Sequence, residues 1–108
     1  KHPIAFGMPE ETILMTTGGE AFEINLTDEA NRGPRAARAV VWYARKDLLA
    51  SGWIAGERAV LGKPALVEAR LGDGRAILFG FRPQFRAQSF GTFKLLLNAI
   101  YLSAAREL

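Results

Sequence analysis

The sequence contains no cysteine and a single histidine, His2. The lack of cysteine excludes a disulfide scaffold, a thiolate zinc site and a thiol nucleophile. One histidine excludes every centre that needs two, including a zinc site built on a His-x-x-Glu motif and a distant histidine. Long apolar runs are missing too, since no stretch reaches the roughly 18 residues that cross a bilayer. These absences leave few side chains in the sequence that could act in catalysis.

The size and charge of the chain fit one small packed domain. Its 108 residues allow a single domain over 1–108, and 49% hydrophobic content is typical of a globular core. The 14 basic residues are spread along the chain among 11 acidic ones, so we expect no nucleic-acid partner and no membrane partner. The chain does not begin with methionine, which predicts a segment of a longer protein.

Strand signals dominate the sequence. Apolar and polar residues alternate over 65–71, a Gly-Asp-Gly turn follows at 72–74, and a second apolar run covers 75–81. This pattern predicts a β-hairpin, with the second run as the central strand because it is apolar on both faces. Further strands are predicted over 39–44 and 22–26.

Two helices and one loop complete the predicted elements. A final helix over 89–107 would begin at the N-cap Ser89 and bury one apolar stripe. A short helix is predicted over 12–15, and a polar loop over 27–38. The expected stripe comprises Phe93, Leu96, Leu97, Ile100 and Ala104. The other large aromatic residues expected in the core are Trp42, Tyr43, Trp53, Phe90 and Tyr101. For Trp42, Tyr43 and Trp53, the alternative is a stacking surface for a sugar or a base.

The loop that joins the last strand to the final helix is the candidate ligand site. In open α/β sheets, ligands bind beyond the carboxyl ends of the strands. The side chains that would take a carboxylate or a sugar there are Arg82, Gln84, Arg86 and Gln88. A surface turn with solvated arginines is the alternative. Neither arginine nor glutamine acts as a base at neutral pH, so no catalytic residue is predicted in this loop.

His2 is the one ordinary general-base candidate. A base needs a positioned nucleophile and an orienting group, and the sequence offers no visible partner for His2. We therefore expect a surface or loop-packing histidine. An independent enzyme using His2 as its base is the third function considered for this chain.

Several stretches resemble the C-terminal region of bacterial zinc carboxypeptidase-like proteins of the carboxypeptidase A type. They are His2-Pro-Ile-Ala-Phe-Gly-Met-Pro, Ser51-Gly-Trp-Ile-Ala-Gly and the run 74–96, in which Gly-Phe-Arg-Pro-Gln-Phe-Arg at 80–86 is the specific part. The resemblance implies an accessory domain that follows a zinc peptidase domain in a periplasmic or secreted protein. Zinc would then lie in the parent's catalytic domain, and no metal ligand or cofactor is carried over to this chain.

In that family the accessory domain is similar to class I glutamine amidotransferases. The resemblance implies an α/β fold: a partial flavodoxin-like or class I glutamine amidotransferase-like layered sheet with mixed strands and a C-terminal helix. Those enzymes place a His-Pro-Glu motif between the last strand and helix, where Arg82-Pro83-Gln84 stands here. In those enzymes the histidine and the glutamate of the motif complete a Cys-His-Glu triad. Arginine in place of the histidine cannot accept the proton of the cysteine thiol, and glutamine in place of the glutamate cannot stabilise an imidazolium as a carboxylate does. The resemblance therefore implies a vestigial site.

These observations lead to one expected function and one alternative. The expected function is a non-catalytic accessory domain of a zinc carboxypeptidase-like metallopeptidase, serving interdomain packing, oligomerisation or ligand capture. Its partners would be the upstream peptidase domain of the same polypeptide and a second copy of the chain. The alternative is a carbohydrate- or peptide-binding module that uses the loop 80–88.

Overall fold

Three antiparallel strands and one long helix form the framework of the protein. The computed structural model describes residues 2–18, 20–25 and 36–105. Strands β1 (Arg38–Trp42), β2 (Pro64–Leu71) and β3 (Gly74–Phe79) pair in the order β1-β2-β3, and helix α1 (Phe90–Ser103) follows. The chain is thus a small α/β protein, as expected. The strand pairs in the described ranges are antiparallel, whereas a mixed sheet was expected.

The predicted hairpin is confirmed. β2 and β3 stay in continuous antiparallel register as far as Leu71, which lies opposite Gly74. Gly72 and Asp73 form the connecting turn, and Gly72 has a φ of 59°. Glycine adopts this left-handed conformation without steric cost, and two-residue hairpin turns require it. The local turn chemistry therefore sets the register of the whole hairpin.

The central strand is β2, so the expectation that the second hairpin strand would be central is wrong. β2 lies between the other two strands, and its first five residues are all buried. β3 is an edge strand, with Leu78 43% exposed. A strand with an apolar sequence can lie at the centre of a sheet or at its edge. The free edge of β2 is taken instead by β1, which confirms the predicted strand over 39–44 and is interrupted by register shifts beside Val41.

The predicted helix over 12–15 is not formed. This segment is irregular, and Met15 forms an isolated antiparallel bridge with Arg82. The Arg82 N–H donates to the Met15 carbonyl oxygen at 2.9 Å. Sheet-like pairing with a distant segment has therefore replaced the local helix, which was too short to be stable by itself.

The predicted strand over 22–26 is not formed in residues 22–25, and Leu26 lies outside the described residues. A backbone hydrogen bond, from the Phe22 N–H to the Pro64 carbonyl oxygen at 2.9 Å, ties this segment to β2. The predicted loop 27–38 lies outside the described residues over 27–35, and its last residue begins β1.

The hydrophobic core lies between the sheet, α1 and the short 3-10 turn Pro3–Ala5. Its buried residues are Ile4, Tyr43, Val60, Ala65, Leu66, Phe81 and Leu95. Helix α1 contributes Thr92, Leu95 and Ala99 to the buried side. The Asn98 amide donates to the Ile4 and Phe6 carbonyl oxygens at 2.9 and 3.0 Å. This contact fixes the turn Pro3–Ala5 against the helix.

The apolar stripe predicted for α1 faces away from this core. Leu97 and Ile100 are 50% and 57% exposed, and Phe90 and Tyr101 next to them are 79% and 75% exposed. Because leucine stands at three consecutive positions, 95–97, periodicity alone does not choose the buried side. Hydrogen bonds of Thr92 and Asn98 to neighbouring loops choose the opposite rotation. Trp42 and Trp53, also expected in the core, are exposed, whereas Tyr43 is buried there.

Tyr43 joins two loops at one end of the sheet. Its hydroxyl proton is shared between the carbonyl oxygens of Glu20, at 2.7 Å, and Gly80, at 2.9 Å. Burial, with a smaller contribution from the Glu20 charge, raises the pKa of the Tyr43 hydroxyl above its usual value near 10. The hydroxyl therefore stays protonated, as donating to both carbonyls requires, over the whole neutral range.

Candidate functional site

The loop 80–88 is built around a tight backbone turn. Phe85 and Gln88 exchange two backbone hydrogen bonds of 2.7 and 2.9 Å. Arg86 and Ala87 between them have φ values of 50° and 61°, which is the pattern of a type I′ turn. The Thr92 hydroxyl of α1 lies 2.8 Å from the Pro83 carbonyl oxygen. The loop is therefore anchored to the first turn of the helix.

Two of the four predicted site residues come together, and they meet on an aromatic ring. The guanidinium groups of Arg82 and Arg86 lie 4.8 and 5.4 Å from the centre of the Phe85 ring, within the range of cation–π attraction. Arg82 Nε also donates to Thr17 Oγ1 at 3.0 Å. Gln84 and Gln88 are exposed and take no part in this cluster. The arginines thus stack on the loop itself.

The antiparallel sheet removes one argument for a ligand at this loop. Carboxyl ends of strands share one edge only where the strands are parallel, and the described strands are not. Ser89, the expected N-cap, does stand at the N-cap position, but its side chain makes no capping hydrogen bond. Its Oγ is buried without a hydrogen-bond partner in the described part of the chain.

A second site, which the sequence did not predict, lies beyond the core at the hairpin end of the sheet. It is a cleft of about 230 Å³. On β2, Leu66, Glu68 and Arg70 alternate and so share one face of the sheet. On this face of the sheet, the apolar core at Leu66 therefore borders a charged cleft at Glu68 and Arg70. The residues that line the cleft are His2, Pro3, Arg38, Glu68, Arg70, Arg75, Leu102 and Ala105.

Glu68 is the centre of this cleft, and it is 8% exposed. Its Oε2 lies 2.8 Å from His2 Nε2, and its Oε1 accepts from an Arg75 terminal nitrogen at 3.2 Å. Both carboxylate oxygens are thus bound to donors, as a buried charge requires. His2 is therefore held by a buried carboxylate, a partner that no local pattern in the sequence indicates.

The same contacts define the role of the His2 ring. Its Nδ1 accepts from the Ile4 N–H at 3.3 Å and caps the turn Pro3–Ala5. Because Nδ1 accepts, Nε2 carries the ring proton and donates it to Glu68. Both ring nitrogens are occupied by the protein. This arrangement positions the N-terminal segment and leaves the ring without a lone pair for a substrate proton.

Three arginines surround Glu68. Arg38 of β1 lies directly opposite Glu68 in the strand pairing, and Arg70 of β2 lies directly opposite Arg75 of β3. All three line the cleft together with Glu68, the one carboxylate among the described residues of the lining. The alternation on β2 and the two-residue turn would have been enough to pair Arg70 with Arg75. Nothing local in the sequence brings Arg38 and His2 to the same place, because both arrive from distant segments.

Among residues 2–18, 20–25 and 36–105, no three histidine, cysteine or acidic side chains are grouped so as to hold a metal ion. In the same ranges, no helix has the length and apolar character needed to cross a membrane.

Comparison with known proteins gives no relative for this chain. No family model, no curated protein and no solved structure matches it.

Proposed function

We propose that this chain is a non-catalytic accessory domain of a zinc carboxypeptidase-like protein, and that it works by packing on another protein surface. One observation carries the proposal. The side of α1 opposite the core is apolar and exposed, with Phe90, Leu97, Ile100 and Tyr101 each at least half exposed. We call this the outer face of α1. Contiguous apolar surface of this kind marks an interaction site in a soluble protein.

The charge on α1 supports the same function. Lys94 is the one charged residue between 90 and 103, and it donates to the Gly7 carbonyl oxygen at 3.0 Å. The exposed side of α1 therefore carries a single charge, that of Lys94, whereas a helix face in water usually carries several. We propose the upstream peptidase domain of the same polypeptide as the natural occupant, and self-association when the chain is alone.

The site chemistry agrees with a non-catalytic role. The described residues of the cleft include no serine, threonine or cysteine that would serve as a nucleophile, and the His2 ring is occupied by Glu68 and the Ile4 N–H. The flavodoxin-like or amidotransferase-like relationship remains part of this proposal. Its support is Arg82-Pro83-Gln84, which lies between β3 and α1 as the corresponding motif would.

The proposal predicts an oligomer that depends on the outer face. We expect light scattering to give a dimer or larger species at about 100 μM, a concentration at which interfaces as weak as about −5.5 kcal/mol are substantially populated. Leu97→Glu should convert it to a monomer with an unchanged circular dichroism spectrum, because it places a charge in the interface. Leu71→Glu is the matched control, since Leu71 is 70% exposed on the hairpin. A wild-type monomer, or equal masses for both variants, would contradict the proposal.

A carbohydrate- or peptide-binding loop is the second candidate, favoured by the exposure of all four predicted side chains, Arg82, Gln84, Arg86 and Gln88. Phe85 with its two stacked guanidinium groups offers an aromatic and cationic surface to a sugar or a carboxylate. If this candidate is right, the chain should bind members of a glycan or peptide array, and Arg82→Ala with Arg86→Ala should abolish the signal without lowering the melting temperature. Arg58→Ala, in an exposed 3-10 turn, is the control. An array without hits would exclude this candidate.

A further inference from the structure

We propose that the outer edge of β3 pairs with the same edge of a second copy of this chain, so that the sheet continues from one copy into the next. This edge is a different surface from the outer face of α1, and the proposal does not depend on that face. It rests on the backbone groups that β3 leaves without a strand partner, on the symmetry of their spacing and on the side chains beside them.

One side of β3 carries a row of open backbone groups. The Gly80 N–H donates to the Ala65 carbonyl oxygen and so points towards β2. Because the backbone groups of successive strand residues point to alternate sides, those of Arg75, Ile77 and Phe79 point away from β2. Within the described residues, β2 is the only strand beside β3, and no other segment forms a backbone hydrogen bond to these three residues. Each of them therefore presents an open N–H and an open carbonyl group.

The spacing of these open groups is self-complementary. In an antiparallel ladder, two residues that form a hydrogen-bonded pair exchange both of their backbone hydrogen bonds. A twofold axis at Ile77 would place Ile77 opposite its own counterpart, and would place Arg75 of each copy opposite Phe79 of the other. Every open residue of β3 would then belong to a hydrogen-bonded pair. The edge therefore fits a second copy in antiparallel orientation without any change of register.

β3 lacks the features that protect edge strands from such pairing. Proline, bulges and charged side chains are the usual ones. Residues 74–79 include no proline, and their register with β2 is continuous. Their one charged side chain, that of Arg75, is directed to Glu68 at 3.2 Å. β1, in contrast, is interrupted by register shifts beside Val41. β3 is therefore the edge of this sheet that is suited to pairing.

The side chains that would meet across the twofold axis are compatible. The central pair consists of two copies of the β-branched Ile77, and Arg75 would lie opposite Phe79 rather than opposite a second arginine. On the other face of the sheet, Leu78 would lie opposite Ala76, and Leu78 is 43% exposed in the single chain. β-branched and aromatic pairs stabilise a sheet, whereas like charges opposite each other destabilise it. None of the pairs from 75 to 79 brings like charges together.

The pairing is weak when it acts alone. Two strands of 6 residues bury far less than the roughly 1,200 Å² at which stable interfaces begin, so we expect a dissociation constant of about 1 mM. At about 100 μM the edge would therefore be mostly unpaired, and Leu97→Glu would still be monomeric there. At higher concentration, edge pairing would link copies that already associate through the outer face of α1 into larger species.

NMR relaxation of the whole chain by a soluble gadolinium chelate tests the proposal, at about 0.05 mM and about 2 mM, which lie on either side of the expected dissociation constant. The chelate relaxes amide protons that face open solvent. At the higher concentration, its effect on Arg75, Ile77 and Phe79 should fall about twofold, as mass action requires at this affinity. The amides of Ala76 and Leu78 point to β2 at both concentrations and should not change. Alternation by residue is specific to strand pairing.

Leu78→Lys is the variant that tests the interface. It places lysines of the two copies diagonally across the axis and gives β3 the charge that protects edge strands. The concentration dependence should therefore disappear. Leu71→Lys is the matched control, because it adds the same charge to the same hairpin at a position that is 70% exposed and precedes the open groups. It should behave as the wild type.

Leu97→Glu separates this edge from the outer face of α1, since the alternating change should persist in it. Circular dichroism shows whether each variant is folded, and the wild-type concentration series tests the edge even if Leu78→Lys unfolds. The proposal is overturned if the relaxation of residues 75, 77 and 79 is equal at both concentrations, which is the result if a strand of another protein occupies this edge. It is also overturned if residues 75–79 all change together, or if folded Leu78→Lys and Leu71→Lys behave alike.

Discussion

Replacing Gly80 with alanine is expected to lower the free energy of unfolding by about 3 kcal/mol, in the upper range for overpacking a tight site. A Cβ atom at Gly80 would lie 2.5 Å from the Glu20 carbonyl oxygen and 3.1 Å from that of Ala65. Both are backbone atoms, so no side chain can rotate away. The Gly80 N–H also donates to Ala65 at 2.8 Å, which keeps the strand from moving outwards.

The strain would reach the core through Tyr43. The segment at Glu20 is the part that has to move, and its carbonyl is one of the two that share the Tyr43 hydroxyl proton. Urea unfolding measures the effect. Gly18→Ala is the matched control, because a Cβ there meets no atom within 4 Å. If Gly80→Ala unfolds at the same urea concentration as Gly18→Ala, the close approach of Glu20 to Gly80 does not exist in solution.

Glu68→Gln is expected to lower the free energy of unfolding by about 2 kcal/mol, within the usual cost of leaving a buried donor unpaired. The carboxylate accepts from His2 and from Arg75 while 8% exposed. An amide has one accepting oxygen, so its NH2 group is directed at one of these donors. A buried donor left unpaired costs about 1–3 kcal/mol, and more where the donor is charged.

An exposed ion pair provides the control for Glu68. Glu23 accepts from Lys63 at 2.7 Å, and this hydrogen bond and charge lower the pKa of the Glu23 carboxyl below its usual value. Because the Glu23 side chain is 80% exposed, Glu23→Gln should leave the unfolding curve unchanged. An unfolding free energy for Glu68→Gln within about 0.5 kcal/mol of the wild type, the usual range of surface substitutions, would show that the Glu68 cluster does not support the fold.

Local signals were sufficient where the energy that forms an element is local. The hairpin follows from strict alternation and from glycine at a turn that needs positive φ. The helix does begin after Ser89 as predicted, but without the side-chain capping hydrogen bond on which that prediction rested. The helix predicted over 12–15 does not form because Met15 pairs with Arg82, which is 67 positions further along the chain. Short-range propensity carries no information about such a partner.

The orientation of α1 was predicted wrongly for a different reason. The stripe Phe93, Leu97 and Ile100 is a real helical repeat, but so is the buried set Thr92, Leu95 and Ala99. Hydrophobicity does not separate two apolar sides. Asn98 and Thr92 distinguish the two sides, because their hydrogen bonds to Ile4, Phe6 and Pro83 form in only one rotation of the helix about its axis. The prediction failed by choosing the side from apolar residues alone.

The sequence by itself determined the class of the protein: a small α/β chain with a β-hairpin, a C-terminal helix and a very limited set of catalytic side chains. These properties follow from composition, from period-two and helical patterns and from turn residues, all of which act over a few positions. The tertiary structure decided which strand is central, which side of α1 is exposed and where charge accumulates. His2, Arg38 and Glu68 meet only because β1 pairs with β2 and Asn98 fixes the N-terminal turn. Such contacts depend on the closure of long loops, which no short stretch of sequence specifies.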